Sequence, residues 1–159
     1  MGVSASALAQ RFGSRRDLLL AFARRAAVGA GEVVRRERGR ASSPLEALHT
    51  AMAAMVKDLT TPTRLANHLS LLELDLTDPE FRRLATRHAR GFRREIALCI
   101  RDAVVKGELR DCDVEATARA VFIAYNGALV LCAFEPKARI DVFVREAVES
   151  TLERVSRSR

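Results

Sequence analysis

The stretch Gly2-Val3-Ser4-Ala5-Ser6-Ala7-Leu8-Ala9-Gln10-Arg11-Phe12-Gly13-Ser14-Arg15-Arg16-Asp17-Leu18-Leu19 decides how the chain is read. Ser4 to Phe12 suits a short helix, and Gly13 breaks it. Ser14-Arg15-Arg16-Asp17 then has the form of a capping box: Ser14 accepts from the third backbone N–H while Asp17 reaches back. From there Leu18, Leu19, Phe22, Ala26 and Val33 carry an apolar stripe along a helix to about Arg38. Gly39-Arg40-Ala41-Ser42-Ser43-Pro44 is the most linker-like stretch, with Ser43 placed as an N-cap and Pro44 at the first helical position.

Charge changes at the same boundary. Residues 1–40 hold nine arginines against Asp17, Glu32 and Glu37, a balance of +6. The remaining eighteen basic and seventeen acidic side chains leave only +1 of the total +7. A concentrated basic end implies a polyanion partner, either nucleic acid or an anionic membrane; a solvated basic helix is the plain alternative.

The whole chain, at 159 residues and 48% apolar, is long enough for one well-cored domain. No Trp, one Tyr and seven Phe make that core aliphatic, and four Pro with eight Gly are too few for a turn-rich β-sandwich. No apolar stretch is expected to approach the ~20 residues of a membrane span. No secretory signal is expected, since Met1-Gly2-Val3-Ser4-Ala5-Ser6 has no basic stretch followed by an apolar run. Cys99, Cys112 and Cys132 form no zinc-type spacing and read as reduced, mostly buried thiols of a cytoplasmic protein, with a redox sensor as the alternative.

Helical periodicity continues to the end. Leu45, Leu48, Met52, Met55, Val56 and Leu59 form one stripe, and Leu65, Leu69, Leu72 and Leu76 a second helix after Thr61-Pro62-Thr63. Asp78 and Pro79 start a long third helix with Phe81, Leu84, His88, Phe92, Ile96, Cys99, Ile100 and Ala103, ended by Gly107. Asp111 or Asp113 caps a fourth helix through Phe134, and a fifth runs from Arg139 to about Arg154. The fourth is apolar on two faces: Val114, Ala118, Val121, Phe122, Tyr125, Leu129 and Cys132 on one, and Ala116, Ala120, Ile123, Ala124, Gly127, Val130, Leu131 and Phe134 on the other. A helix apolar nearly all round must be buried nearly all round, which is hard for five helices without a partner; a monomer that hides the second face under its own loops is the alternative. A homodimer built on the last two helices follows, through Ala120, Ile123, Ala124, Gly127, Leu131, Phe143, Val144, Ala147 and Leu152.

No catalytic constellation stands out. His49, His68 and His88 sit in separate helices with no triad or metal spacing, and there is no Gly-rich phosphate loop, GxSxG or HExxH. The expectation is no enzyme, no metal and no cofactor.

Residues 2–19 resemble the second half of the helix-turn-helix of TetR-family transcriptional repressors: Gly-Val-Ser, a short recognition helix, then Ser, a basic residue and an acidic residue before a Leu pair. The basic head, long connecting helix and helical body are also similar to that family's plan, as is Gly107-Glu108-Leu109-Arg110-Asp111 before the penultimate helix. The resemblance implies an all-α, TetR-like fold. Residues 1–40 would be a partial DNA-binding head and connecting helix, and 44–156 a ligand-binding and dimerisation domain.

It further implies a repressor that binds palindromic operator DNA as a homodimer and is released by a small-molecule effector. Ser4, Ala5, Ser6 and Ala7 would face base edges, and Gln10, Arg11, Ser14 and Arg15 the phosphate backbone. The family's frequent Tyr and Lys are Ala9 and Ala5 here, so base readout would be modest. The first helix and most of the second of the usual head have no counterpart. A longer protein with Met1 internal is therefore expected, a shortened variant unable to grip DNA being the alternative.

The effector would be a small, largely hydrophobic molecule. Its lining would be Met52, Met55, His68, Leu69, Leu72, Phe92, Ile96, Cys99, Phe122 and Tyr125, with Leu48 and His88 nearby. Asn126 is the best polar handle, because an amide in the middle of an apolar helix needs a partner. The alternative is a helical ligand-binding or dimerisation module without DNA activity. A membrane partner is disfavoured, since the segment lacks the exposed aromatic face such anchors use.

Overall fold

Capping residues set where the helices begin. A computed structural model of the chain describes residues 13–135 and 137–156. Helix α1 spans Arg15–Arg38, with Ser14 Oγ accepting from the Asp17 N–H at 3.1 Å and donating to its carboxylate at 2.5 Å. Helix α2 (Pro44–Val56) is capped by Ser43, α3 (Pro62–Leu69) by Thr61 and α5 (Pro79–Val105) by Asp78, each with Pro in the first turn. Asp113 rather than Asp111 caps α6 (Val114–Phe134), accepting from the Ala116 N–H at 3.0 Å. Helix α7 runs Ile140–Glu153. Among the described residues there is no strand, only an isolated bridge between Leu109 and Ser156.

Glycine closes α5 as its sequence predicts. Gly107 takes φ +74°, a left-handed conformation a side chain would strain, and the N–H groups of Glu108 and Leu109 return to the Ala103 carbonyl. The turn also aims Glu108 at α2, where its carboxylate accepts from Ser43 Oγ at 2.9 Å and from the Leu45 N–H at 3.2 Å.

Three expectations change. The single helix expected over Leu65–Leu76 is two, because Ser70 ends α3 and the short α4 (Leu71–Thr77) follows. Ser70 Oγ donates to the Asn67 carbonyl, competing locally with a continuous helix. The α1 stripe is rotated: Leu20, Ala27, Gly31 and Val34 are buried, whereas Phe22 is 53% exposed. Finally, α6 is long and apolar enough, by length and composition alone, to cross a membrane. Small residues between the large ones make it read as two stripes instead of one run. One flank of it is committed to the core, where Ala118, Val121, Tyr125, Leu129 and Cys132 are buried.

The main core gathers α2, α5, α6 and α7 around Leu48, Met52, Phe92, Ile96, Ile100, Val121, Val144 and Val148, all at most 2% exposed. A smaller cluster of Leu20, Ala27, Phe81 and Leu84 joins the first half of α1 to α5.

Candidate functional site

Helices α1 and α5 run parallel along their length, pinned by three kinds of contact. Arg16 and Arg24 reach Asp78 at 2.7 Å and Glu80 at 2.9 Å. Gly31 allows the backbones to meet, since a Cβ there would lie 3.3 Å from the Gly91 carbonyl oxygen. Further along, the buried Glu95 accepts from Arg35 at 3.1 and 3.2 Å. Its second oxygen stands 3.7 Å from Arg38, and both of those buried atoms lack a hydrogen-bond partner. Much of the basic charge read from residues 1–40 is thus answered by acids of α5.

His88 sits where this pair meets the body. Its Nδ1 lies 2.9 Å from the Ala26 carbonyl of α1, and its ring is 6.0 Å from that of Phe92. Phe92 in turn makes edge contacts with Phe122 at 5.7 Å and Tyr125 at 5.4 Å. His68 faces solvent over more than a third of its surface, yet burial of its ring and the neighbouring His88 hold its imidazole below the ordinary value. Burial raises the Asp75 carboxyl, with His88 opposing. Helices α3 and α4 cover this corner lightly: Leu65 is the one buried residue of α3, and α4 buries none.

Of the expected effector contacts, Met52, Met55, Leu69, Phe92, Ile96, Cys99, Phe122 and Tyr125 fall in one apolar cluster. Two do not join it. Leu72 is 51% exposed, and Asn126 is exposed because its amide finds a partner on its own helix, donating to the Phe122 carbonyl at 2.8 Å. Burial pushes the Cys99 thiol up to about 12 and raises the Tyr125 hydroxyl, so neither ionises near neutrality. Cys99, Cys112 and Cys132 are all free thiols. The sequence reading missed an open groove of about 600 Å³ between the end of α2, the start of α3 and the α6–α7 connection, lined by Val56, Leu59, Leu65, Cys132 and Ile140 with Lys57, Arg139 and Asp141. Loops contribute half of that lining, and helical periodicity carries no signal for them.

On the outer face of α6, Ile123 is 62%, Leu131 57% and Phe134 75% exposed, with Ala120, Ala124 and Gly127 on the same side. Phe143 and Ala147 of α7 are half-buried, packed against the main core. Val144 and Leu152, expected on the interface, instead point into their own chain's core, at 1% and 3% exposure, because the 3.6-residue period turns them inward. Ser14 and Arg15 are exposed at the start of α1; Ser4, Ala5, Ser6, Ala7, Gln10 and Arg11 lie outside the described residues.

Residues 41–148 match the family described as "Tetracyclin repressor-like, C-terminal domain". The chain belongs to the TetR family. TetR proteins are transcription regulators and not enzymes. The fold is similar to that of a TetR transcription regulator from Haloarcula marismortui, at a TM-score of 0.78 and 14% identity, covering 97% of this chain and 86% of that one. It is also similar to the TetR family transcriptional regulator PfmR from Thermus thermophilus, at 0.66 and 22% identity, covering 96% and 82%. A protein with unknown function from a Rhodococcus species aligns at 0.62 and 18% identity, covering 98% and 80%. No curated protein matches the sequence.

Proposed function

We propose that this TetR-family chain is a dimeric, effector-responsive repressor of the cytoplasm, with residues 1–40 as head and connecting helix and 44–156 as the ligand-binding and dimerisation domain. One observation carries the reading. His88 touches the connecting helix through the Ala26 carbonyl and the aromatic cluster through Phe92, so one side chain senses both. A hydrophobic molecule that parts α3 and α4 from Phe92, Phe122 and Tyr125 would shift His88 and with it α1. Repression is relieved if that molecule prefers the α1 position that misplaces the heads on DNA.

Dimerisation uses the exposed stripe of Ile123, Leu131 and Phe134, flanked by Ala120, Ala124 and Gly127, whose small side chains let a second helix approach. Phe143 and Ala147 of α7 extend it. Two heads so joined would read half-sites about 34–36 Å apart, with Ser4–Ala7 toward the bases and Gln10, Arg11, Ser14 and Arg15 toward phosphates.

The test is binding of the full-length protein to its own upstream DNA and to a random duplex, each at two salt concentrations. A complex specific for the upstream duplex supports the reading. Equal, salt-sensitive binding to both reduces it to bare electrostatics.

A further inference from the structure

Helix α5 carries Arg82, Arg83, Arg87, Arg90, Arg93 and Arg94 within thirteen residues and no acidic residue among them. Its acids lie elsewhere: Glu80, Glu95 and Asp102, with the capping Asp78, all turn toward arginines of α1. The helix thus segregates its charge. One side is neutralised by α1, while the other is left basic. Steps of three and four residues put Arg83, Arg87, Arg90 and Arg94 on a common face, where with Arg82 they line an open groove. All five are exposed. Among the described residues, no carboxylate lies within 4 Å of Arg83, Arg87, Arg90 or Arg94. At its far end Arg119 of α6 joins Arg90 and Arg94, beside Glu115.

We propose that this arginine face is a second docking surface for the sugar–phosphate backbone of duplex DNA, apart from whatever the head reads. Three features favour that partner. Every cation of the stripe on α5 is arginine, whose planar fork pairs two-pronged with phosphate oxygens. From Arg83 to Arg94 the helix rises about 16 Å, a length over which one DNA strand presents roughly five phosphates. The stripe also starts at the end of the body where α1 begins, since Arg16 is tied to Asp78 in the first turn of α5. The inference rests on the DNA-binding reading only in the identity of the polyanion.

The salt dependence of binding to a random duplex tests it. The full chain, the variant R83Q/R87Q/R90Q/R94Q and the charge-matched control R64Q/K137Q/R145Q/R154Q are titrated from about 50 to about 200 mM salt. The stripe variant is expected to lose roughly 2–4 from the slope of log K against log salt, at about 0.9 per phosphate contact, while the control keeps the parent slope. An unchanged slope overturns the proposal, and so does an equal loss in the control. Vesicles containing phosphatidylserine form a further arm. If the stripe variant loses vesicle binding but keeps the parent duplex slope, the surface serves a membrane and the proposal fails. Loss of upstream-DNA specificity with the slope difference intact would sink the repressor reading and leave this surface standing.

Discussion

Glu95 accepts from both the Nε and the Nη2 of Arg35, at 3.2 and 3.1 Å, at a position 4% exposed where α1 packs along α5. A buried carboxylate tolerates that position only while it is bonded. Replacing it with glutamine removes the charge-assisted pair and leaves Arg38, already short of a partner, with less compensation. We expect E95Q to lower unfolding free energy by about 1.5–3 kcal/mol, the lower end if the solvent-facing Arg35 screens the pair. Urea denaturation checks this; a midpoint equal to that of the parent would show that the contact contributes nothing.

Two glycines of α1 separate helix propensity from close packing. A Cβ at Gly29 meets nothing within 4 Å, whereas one at Gly31 sits 3.3 Å from the Gly91 carbonyl oxygen. G29A should stabilise by about 0.5–1 kcal/mol through backbone propensity alone. In G31A the same gain is offset as two helix backbones are pushed apart, and thermal unfolding should place it below G29A. Equal gains in the two variants would mean that the α1–α5 contact gives way freely.

Histidine burial sets a pH dependence. Burial lowers the imidazole of His49, with Glu149 opposing, and that of His68, with His88 adding to the effect. For a histidine depressed in the folded state, the unfolded chain binds the proton first. The stability contribution is therefore complete above the ordinary imidazole value of about 6.5 and is lost progressively as pH falls below it. The melting temperature should drop between about pH 7.5 and 5.5, and the H49N/H68N double variant should drop less. A parent curve flat over that range contradicts the assignment.

Much of this molecule is legible in the sequence because its helices announce their ends. Ser14, Ser43, Asp78 and Gly107 mark four boundaries through hydrogen bonds local to a few residues, and the structure places all four as expected. Which face of a helix is buried is a tertiary matter. That is why the α1 stripe reads one step off, with Phe22 inward, and why Val144 and Leu152 read as outward. The two faces of α6 are separable because one is large and contiguous and the other rich in small residues. The α5 arginines stay hidden for another reason: summing charge over residues 41–159 cancels them against acids spread through the body, among them Asp78, Glu80, Glu95 and Asp102, which the fold directs to α1. A count restricted to one face of that helix would find them.

The central claim is that dimerisation through the outer face of α6 brings two heads onto one operator, and I123E/L131E tests it most directly. Both side chains are more than half exposed, so the monomer should keep its helical spectrum and melting behaviour. The measurement is the stoichiometry and affinity of the full-length protein on its upstream DNA, beside its mass by light scattering. The parent should be a dimer that places two chains on each site. The variant should be a folded monomer that loses specific binding by about 100-fold or more and keeps only weak, salt-sensitive attachment to any duplex. A variant that remains dimeric, or a folded monomer that binds the upstream DNA as tightly as the parent, would contradict the account.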